Sequence, residues 1–297
     1  MRPPGRVCAP SRRDGKLRPD GQEGETALPT LEEIWRQYDA IEALLTAPLS
    51  ERLLDLCGLQ RGMRVLDLAT GRGEPALRAA ARVGSEGSVL GVDLSGEMLR
   101  MARERADRDG LPNLDLREGN AESLDDLPRG HFHAATVRWG LMYMKAPIAA
   151  LSTARRALGP AGVLVAALWA EPERASFFAT PRRLLERYRP VPALDPEAPG
   201  MFRHADLERV ARDFNHAGFT LDHVEDVEVP VFEAASGGEV AAWVRALVWG
   251  MGQLLSELPE NAQRAWEEDL TAELERTRTG DLIRSSGVTR LVRARPI

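Results

Sequence analysis

Val65-Leu66-Asp67-Leu68-Ala69-Thr70-Gly71-Arg72-Gly73-Glu74-Pro75-Ala76 runs an apolar stretch into an acid, then two glycines one residue apart, then an alanine-rich segment. The order predicts a strand, a glycine loop and a helix start. Such a corner binds a nucleoside-containing ligand, because glycines let it approach the backbone and the helix end offers free N–H groups. Ser88-Val89-Leu90-Gly91-Val92-Asp93 is a second strand ending in an acid, at the spacing where a carboxylate takes ribose hydroxyls.

Two ligands fit these pieces. Gly71, Gly73 and Ala76 satisfy the dinucleotide pattern G-x-G-x-x-G/A. They also fit the S-adenosylmethionine loop D-x-G-x-G-x-G, with Asp67 first and Ala69 in place of the first glycine. The acid closing the first strand and the long segment before that strand favour S-adenosylmethionine.

Residues 31 to about 170 resemble the class I S-adenosylmethionine-dependent methyltransferases. The resemblance is to the ubiquinone/menaquinone C-methyltransferases and related natural-product, small-molecule enzymes. It implies that Asp67, Ala69, Thr70, Gly71 and Gly73 wrap the methionine end and ribose, with the Thr70 hydroxyl reaching the ligand carboxylate. It implies Asp93 on the ribose, and Leu94 and Met98 flanking the adenine. Gly119-Asn120-Ala121-Glu122 matches the family's Gly-Asp-Ala-Glu, which reads the adenine edge; Asn120 departs from it, but its carbonyl still accepts an amine hydrogen. Arg138-Trp139-Gly140-Leu141-Met142 is similar to Arg-Phe-Gly-Leu-Met, placing Arg138 and Trp139 near the methionine moiety. Trp35 and Tyr38 resemble an N-terminal aromatic stretch that closes over the cofactor. His133 stands where the family has an acid.

On pattern alone, Trp35, Tyr38 and Trp139 read more readily as packing residues than as ligand contacts, and it is the resemblance that makes them ligand candidates; the plainer readings of Arg138 and Asn120 are an ion pair and a turn cap. A general base is needed only if the acceptor must lose a proton. His204, after the Pro-rich stretch 190–200, is the one weak catalytic candidate, and a solvent-facing histidine is the plainer reading.

The chain has 297 residues and a formal net charge of −6, which points away from a nucleic-acid binder. No Asn/Asp-Pro-Pro-Tyr segment follows the fourth strand, which disfavours methylation of a nucleic-acid base. Cys8 and Cys57 are the only cysteines, too few for a disulfide framework or a zinc pattern. The longest apolar run, Val163 to Ala170, is short of a membrane span, so no integral membrane association is expected. The N-terminus lacks an apolar signal region, and the expected location is the cytoplasm.

Strand and helix signals alternate through the core: strands near 63–68, 88–93, 113–118, 134–138 and 163–169. The expected fold class is α/β, a doubly wound, Rossmann-like, seven-stranded and mostly parallel sheet with a helical cap. Residues 1–28 read as a disordered tail and 29–297 as one domain. Within it, 29–60 read as two N-terminal helices, the first opened by a Thr30–Glu33 capping box, and 61–170 as the cofactor core. Residues 171–218 and 236–280 read as cap helices, and 219–231 and 287–295 as a terminal hairpin. The cap reads as a lid that builds the acceptor pocket, and apolar residues around Trp243, Val244, Leu247, Val248 and Trp249 read as lining either that pocket or a homodimer interface.

The expected function is S-adenosylmethionine-dependent methyl transfer to a small, fairly apolar molecule in secondary metabolism. The alternatives are quinone-pathway C-methylation and a cofactor-binding relative that transfers no methyl. A nicotinamide oxidoreductase is the remote one.

Overall fold

The computed structural model describes residues 31–248 and 250–297, with side chains for Tyr38 and from Ile41 onward. The expected tail and the Thr30–Glu33 box lie outside the described residues.

Helix α1 spans Leu31–Cys57. Strands β1 (Arg64–Leu68), β2 (Ser88–Asp93) and β3 (Leu114–Glu118) alternate with helices α2 (Ala76–Val83) and α3 (Gly96–Arg108). Strand β4 (Phe132–Arg138), helix α4 (Pro147–Ala157) and strand β5 (Leu158–Trp169) follow. Helices α5 (Ser176–Leu185) and α6 (Leu207–His216) precede β6 (Phe219–Ala234). Then come α7 (Gly237–Leu247), α8 (Met251–Ser256), α9 (Glu260–Glu275) and β7 (Ile283–Pro296).

The strand order is β3-β2-β1-β4-β5-β7-β6, and β7 runs antiparallel to both neighbours. From β1 the chain winds outward to β3, then returns to β4 on the other side. That reversal opens a crevice at the carboxyl ends of β1 and β4, where ligands of such sheets bind. The central strands are apolar on both sides, as buried parallel strands must be. Val65, Val89, Ala134 and Val165 face Leu53, Leu54, Ala79 and Val83 of α1 and α2. Leu66, Ala135, Val137 and Leu164 face Ala150, Leu151 and Ala154 of α4.

Three expected boundaries differ. The two N-terminal helices are one, continuous through Pro48, because Leu49, Leu53 and Leu54 are buried and that packing outweighs the proline's missing donor. Within the expected cap stretch 236–280, α7 and α8 are separated at Gly250, whose φ of +77° no helix interior admits. The terminal hairpin is longer than expected, pairing Phe219 with Pro296 and Ala234 with Ile283. Pro230 fits within β6 because β6 is an edge strand and the register shifts there.

Of the three helices between β6 and β7, α7 and α9 pack with α5, and α8 packs on α7. The buried Trp266 of α9 donates its indole N–H to the carbonyl of Pro181 on α5, at 3.0 Å. Trp243, Val244 and Val248 are buried in this cap core, so they form no exposed dimer face; Trp249 lies outside the described residues. No described helix is long and apolar enough to cross a membrane.

Candidate functional site

Where β1 ends, the backbone turns with Ala69, Gly71 and Gly73 at φ of +55°, +55° and +98°. The Thr70 N–H continues the pairing with β2, donating to Val92 C=O at 3.0 Å. A Cβ on Gly73 would lie 2.8 Å from Leu77, so glycine there lets α2 pack close. A Cβ on Gly71 would meet only Met98 Sδ, at 3.8 Å. The loop backbone at Gly71 is thus open on its outer side.

The Asp93 carboxylate closes this loop. One oxygen accepts the Gly71 N–H at 2.8 Å and the other the Ser95 N–H at 2.9 Å. Each oxygen keeps further acceptor capacity. Beside it Leu94 is 70% exposed and Met98 41% exposed, an apolar shelf next to an acceptor pair. A nucleoside presents a flat apolar base and vicinal hydroxyls, and this shelf and acid match both.

Asp67 lies fully buried at the end of β1. The Thr136 hydroxyl donates to its Oδ1 at 2.6 Å, while Oδ2 has no partner among the described residues. Burial pushes its pKa up to about 6, against the pull of the Thr136 hydrogen bond. The Thr70 hydroxyl is turned inward, contrary to expectation. Its Oγ1 is buried and would sit 3.0 Å from a Cβ on Gly91, because the Thr70 backbone is held against β2.

Arg138, at the end of β4, is clamped by α1. It donates to Thr46 Oγ1 at 2.8 Å and to Glu42 Oε1 at 3.4 Å. The other Glu42 oxygen accepts from Arg72 of the glycine loop at 2.6 Å. One carboxylate of α1 therefore joins the two loops that form the crevice. Sequence reasoning missed Glu42, Thr46 and Arg72. The signal was present: Tyr38, Glu42 and Thr46 follow at four-residue steps on one helix face.

Several expected ligand contacts are engaged with other parts of the chain. Tyr38 is buried, with its ring 5.2 Å from Phe232 and its hydroxyl donating to Val231 C=O at 3.2 Å; the rotation of α1 turns it onto β6. Burial raises its pKa far above the ordinary phenol value. Trp35 lies on α1, and its side chain is outside the described ones. Trp139, at φ +54°, turns toward β5 and β7. Its ring stacks on Trp169 at 4.5 Å, and its indole N–H donates to Thr289 at 3.1 Å.

Asn120 caps the 3-10 turn Ala121–Ser123, its Oδ1 accepting the Glu122 N–H at 3.0 Å. Ala121 is buried, and Glu122 Oε1 accepts the Ala146 N–H at 2.5 Å, tying the turn to the start of α4. His204 does not face a pocket. It is buried with Nε2 3.3 Å from Asp213 of α6, and burial holds its pKa well below the ordinary value. His133 sits at the opposite end of β4, its Nδ1 accepting the Arg64 N–H at 2.9 Å. Burial and the Arg64 guanidinium lower its pKa.

A strand–glycine loop–helix corner, an acid at the end of β2 and this strand order define a class of enzyme. A methyltransferase domain family model matches residues 65–162. The ubiquinone/menaquinone biosynthesis C-methyltransferase UbiE of Serratia proteamaculans (strain 568) is 32% identical over 176 residues, covering 56% of this chain and 70% of the relative. That of Coxiella burnetii (strain Dugway 5J108-111) is 28% identical over 237 residues, covering 75% and 91%. The crystal structure of a putative methyltransferase from Bacillus halodurans C-125 aligns at TM-score 0.56 and 20% identity, covering 84% of this chain and 99% of that one. The chain belongs to the class I S-adenosylmethionine-dependent methyltransferases, and S-adenosylmethionine is its cofactor. Within that class it is similar to the ubiquinone/menaquinone C-methyltransferases.

Proposed function

We propose that the enzyme methylates a small, fairly apolar molecule in secondary metabolism, with the acceptor entering between the cap and the carboxyl ends of β1 and β4. In this reading the Gly71 and Gly73 loop holds the methionine end. Asp93 takes the ribose hydroxyls, and Leu94 and Met98 face the adenine. The shelf of exposed Leu94 and Met98 beside the Asp93 acceptor pair is the observation that carries the cofactor assignment. Asp67, buried beneath the loop and paired with Thr136, anchors the end of β1 under the methionine end. Arg138 and Arg72, held by Glu42, fix the crevice walls and present positive charge for a carboxylate. Asn120 retains acceptor capacity on Oδ1 for an adenine amine.

When bound, S-adenosylmethionine supplies a methyl group already activated on a sulfonium. The chain's own task is then to orient, to exclude water and to hold its loops still. Positioning of this kind supplies roughly 7–11 kcal/mol in favourable cases. The burial of His204 removes the one histidine singled out as a base.

Quinone-pathway C-methylation is the second reading, supported by the shared name of the relatives. Incubation of the purified protein with methyl-labelled S-adenosylmethionine and a small-molecule extract of cells lacking this gene separates the two. A labelled secondary metabolite supports the first reading, and a labelled quinone precursor the second. No labelled product, with intact cofactor bound, counts against both.

A further inference from the structure

The cap contains a cleft of about 1000 Å³ between α5, the 190–206 segment and α8. Its apolar wall includes Phe178, Met201, Phe202 and Leu254. The rings of Phe178 and Phe202 meet edge-on at 4.6 Å, joining α5 to the 190–206 segment. The same two segments each bring one arginine into the cleft, Arg182 and Arg203.

These two arginines differ from their neighbours. Arg189 is paired with Glu257 at 2.5 Å, and Arg209 is held by both oxygens of Glu197 at 2.7 and 2.8 Å. Among the described residues, neither Arg182 nor Arg203 meets a carboxylate. Arg182 donates to the Pro192 carbonyl at 2.5 Å and lies 5.2 Å from the Phe178 ring centre. Arg203 donates to the Met144 carbonyl at 2.5 Å, and its Nε is buried without a partner. Glu186 and Glu197 act on these two arginines only through space, without a direct ion pair, and each fork has further N–H donors. Burial pulls the Arg182 pKa below the ordinary arginine value, against the opposing pull of the Glu186 carboxylate.

The cleft wall also touches the crevice. The Gly200 N–H donates to Met142 C=O at 3.0 Å, and Met142 lies in the 3-10 turn just after Arg138, Trp139 and Gly140. We infer that the methyl acceptor is an amphipathic anion, its carboxylate or phosphate held between Arg182 and Arg203 and its apolar body on Phe178, Phe202 and Met201. The inference rests on the reading of the cap as the acceptor site. Charge-assisted, bidentate recognition of an anionic oxygen pair is what two unsatisfied guanidinium forks supply.

Calorimetry on the full chain saturated with S-adenosylhomocysteine tests it, with 2-naphthoate, 2-naphthyl phosphate and neutral 2-naphthamide as probes. At least one anion should bind about tenfold or more tightly than the amide, and the tighter anion assigns carboxylate or phosphate. Arg182→Gln and Arg203→Gln should each weaken that anion about tenfold while S-adenosylhomocysteine affinity holds, which also reports folding. An amide that binds as well as the anions overturns the inference. So does a lack of binding by all three at millimolar concentration, or indifference of both variants. The labelled-methyl experiment adds an independent readout: the product should be retained on an anion exchanger at neutral pH. A labelled product that emerges uncharged sinks the anionic acceptor but leaves methyl transfer standing. Failure of S-adenosylhomocysteine to bind sinks the cofactor assignment beneath both.

Discussion

A methyl group added to Gly140 would stand 2.4 Å from the Cβ of Ala69. Ala69 is the position where the family's loop has its first glycine, and here it holds φ +55° with a side chain. Gly140 has an ordinary φ of −102°, so space and not backbone conformation requires glycine there. The loops after β1 and β4 are therefore matched through this one contact. Gly140→Ala should cost about 1–3 kcal/mol in urea unfolding. In the Ala69→Gly background the same change should cost at least ~1 kcal/mol less. Purely additive effects would show that the two loops are not coupled at this point.

Glu42 makes a second join between the same loops. Its side chain is 12% exposed, and those of Arg138 and Arg72 are 9% and 17% exposed, so this is not a solvent-screened surface pair. Glu42→Gln removes the charge from between two guanidinium groups and should destabilise the protein by about 3 kcal/mol. S-adenosylhomocysteine affinity should fall with it, by about tenfold, because the crevice walls lose their brace. Calorimetric affinity equal to wild type would show that α1 braces nothing the cofactor needs.

Asp67 gives a pH signature with a defined sign. Its pKa rises from 3.8 to about 6 on folding, because burial disfavours the charged form. The folded chain then binds more protons than the unfolded one between those values. Stability from this group is present at low pH and is lost as pH rises toward 6, by roughly 3 kcal/mol at most. Asp67→Asn should remove that dependence. The variant's advantage over wild type in ligand-free urea unfolding should therefore grow between about pH 4 and pH 6 and then level off. A constant difference across this range would mean that Asp67 titrates as an ordinary carboxylate.

Asp93→Asn tests the ribose assignment. The amide keeps the size but turns an N–H₂ toward one of the two backbone donors, Gly71 or Ser95. S-adenosylhomocysteine affinity should drop by about 3 kcal/mol, or roughly a hundredfold. Retained affinity, measured at a temperature where the variant is folded, would remove Asp93 from the cofactor site.

The sheet was legible in the sequence because buried parallel strands are short apolar runs with acids at their ends, and Asp67 and Asp93 mark two of them. The hairpin was legible as two β-rich stretches flanking helices. What stayed hidden depended on side-chain direction. Tyr38 and Trp139 carry the residue types of a ligand contact, but helix rotation and a positive φ turn them into the core. Thr70 stands in the right loop and faces the wrong way for the same kind of reason. The four-residue spacing of Tyr38, Glu42 and Thr46 marks a helix face, but Arg72 and Arg138 lie in two other elements, so the spacing does not say what Glu42 meets. His204 looked available only because sequence does not show that Asp213 lies across from it.

Ala234 and Ile283, which bracket the inserted helices, face each other in the hairpin register. The chain leaves the sheet and rejoins it at one rung of a ladder. Everything between is topologically a closed petal: a tight turn in its place would leave the same hairpin standing, with its strand hydrogen bonds intact. A segment attached this way behaves as a cassette. It can lengthen or shorten without breaking a strand pair, its ties to the rest of the fold being side-chain contacts such as Tyr38 on Trp243 and Trp266 on Pro181.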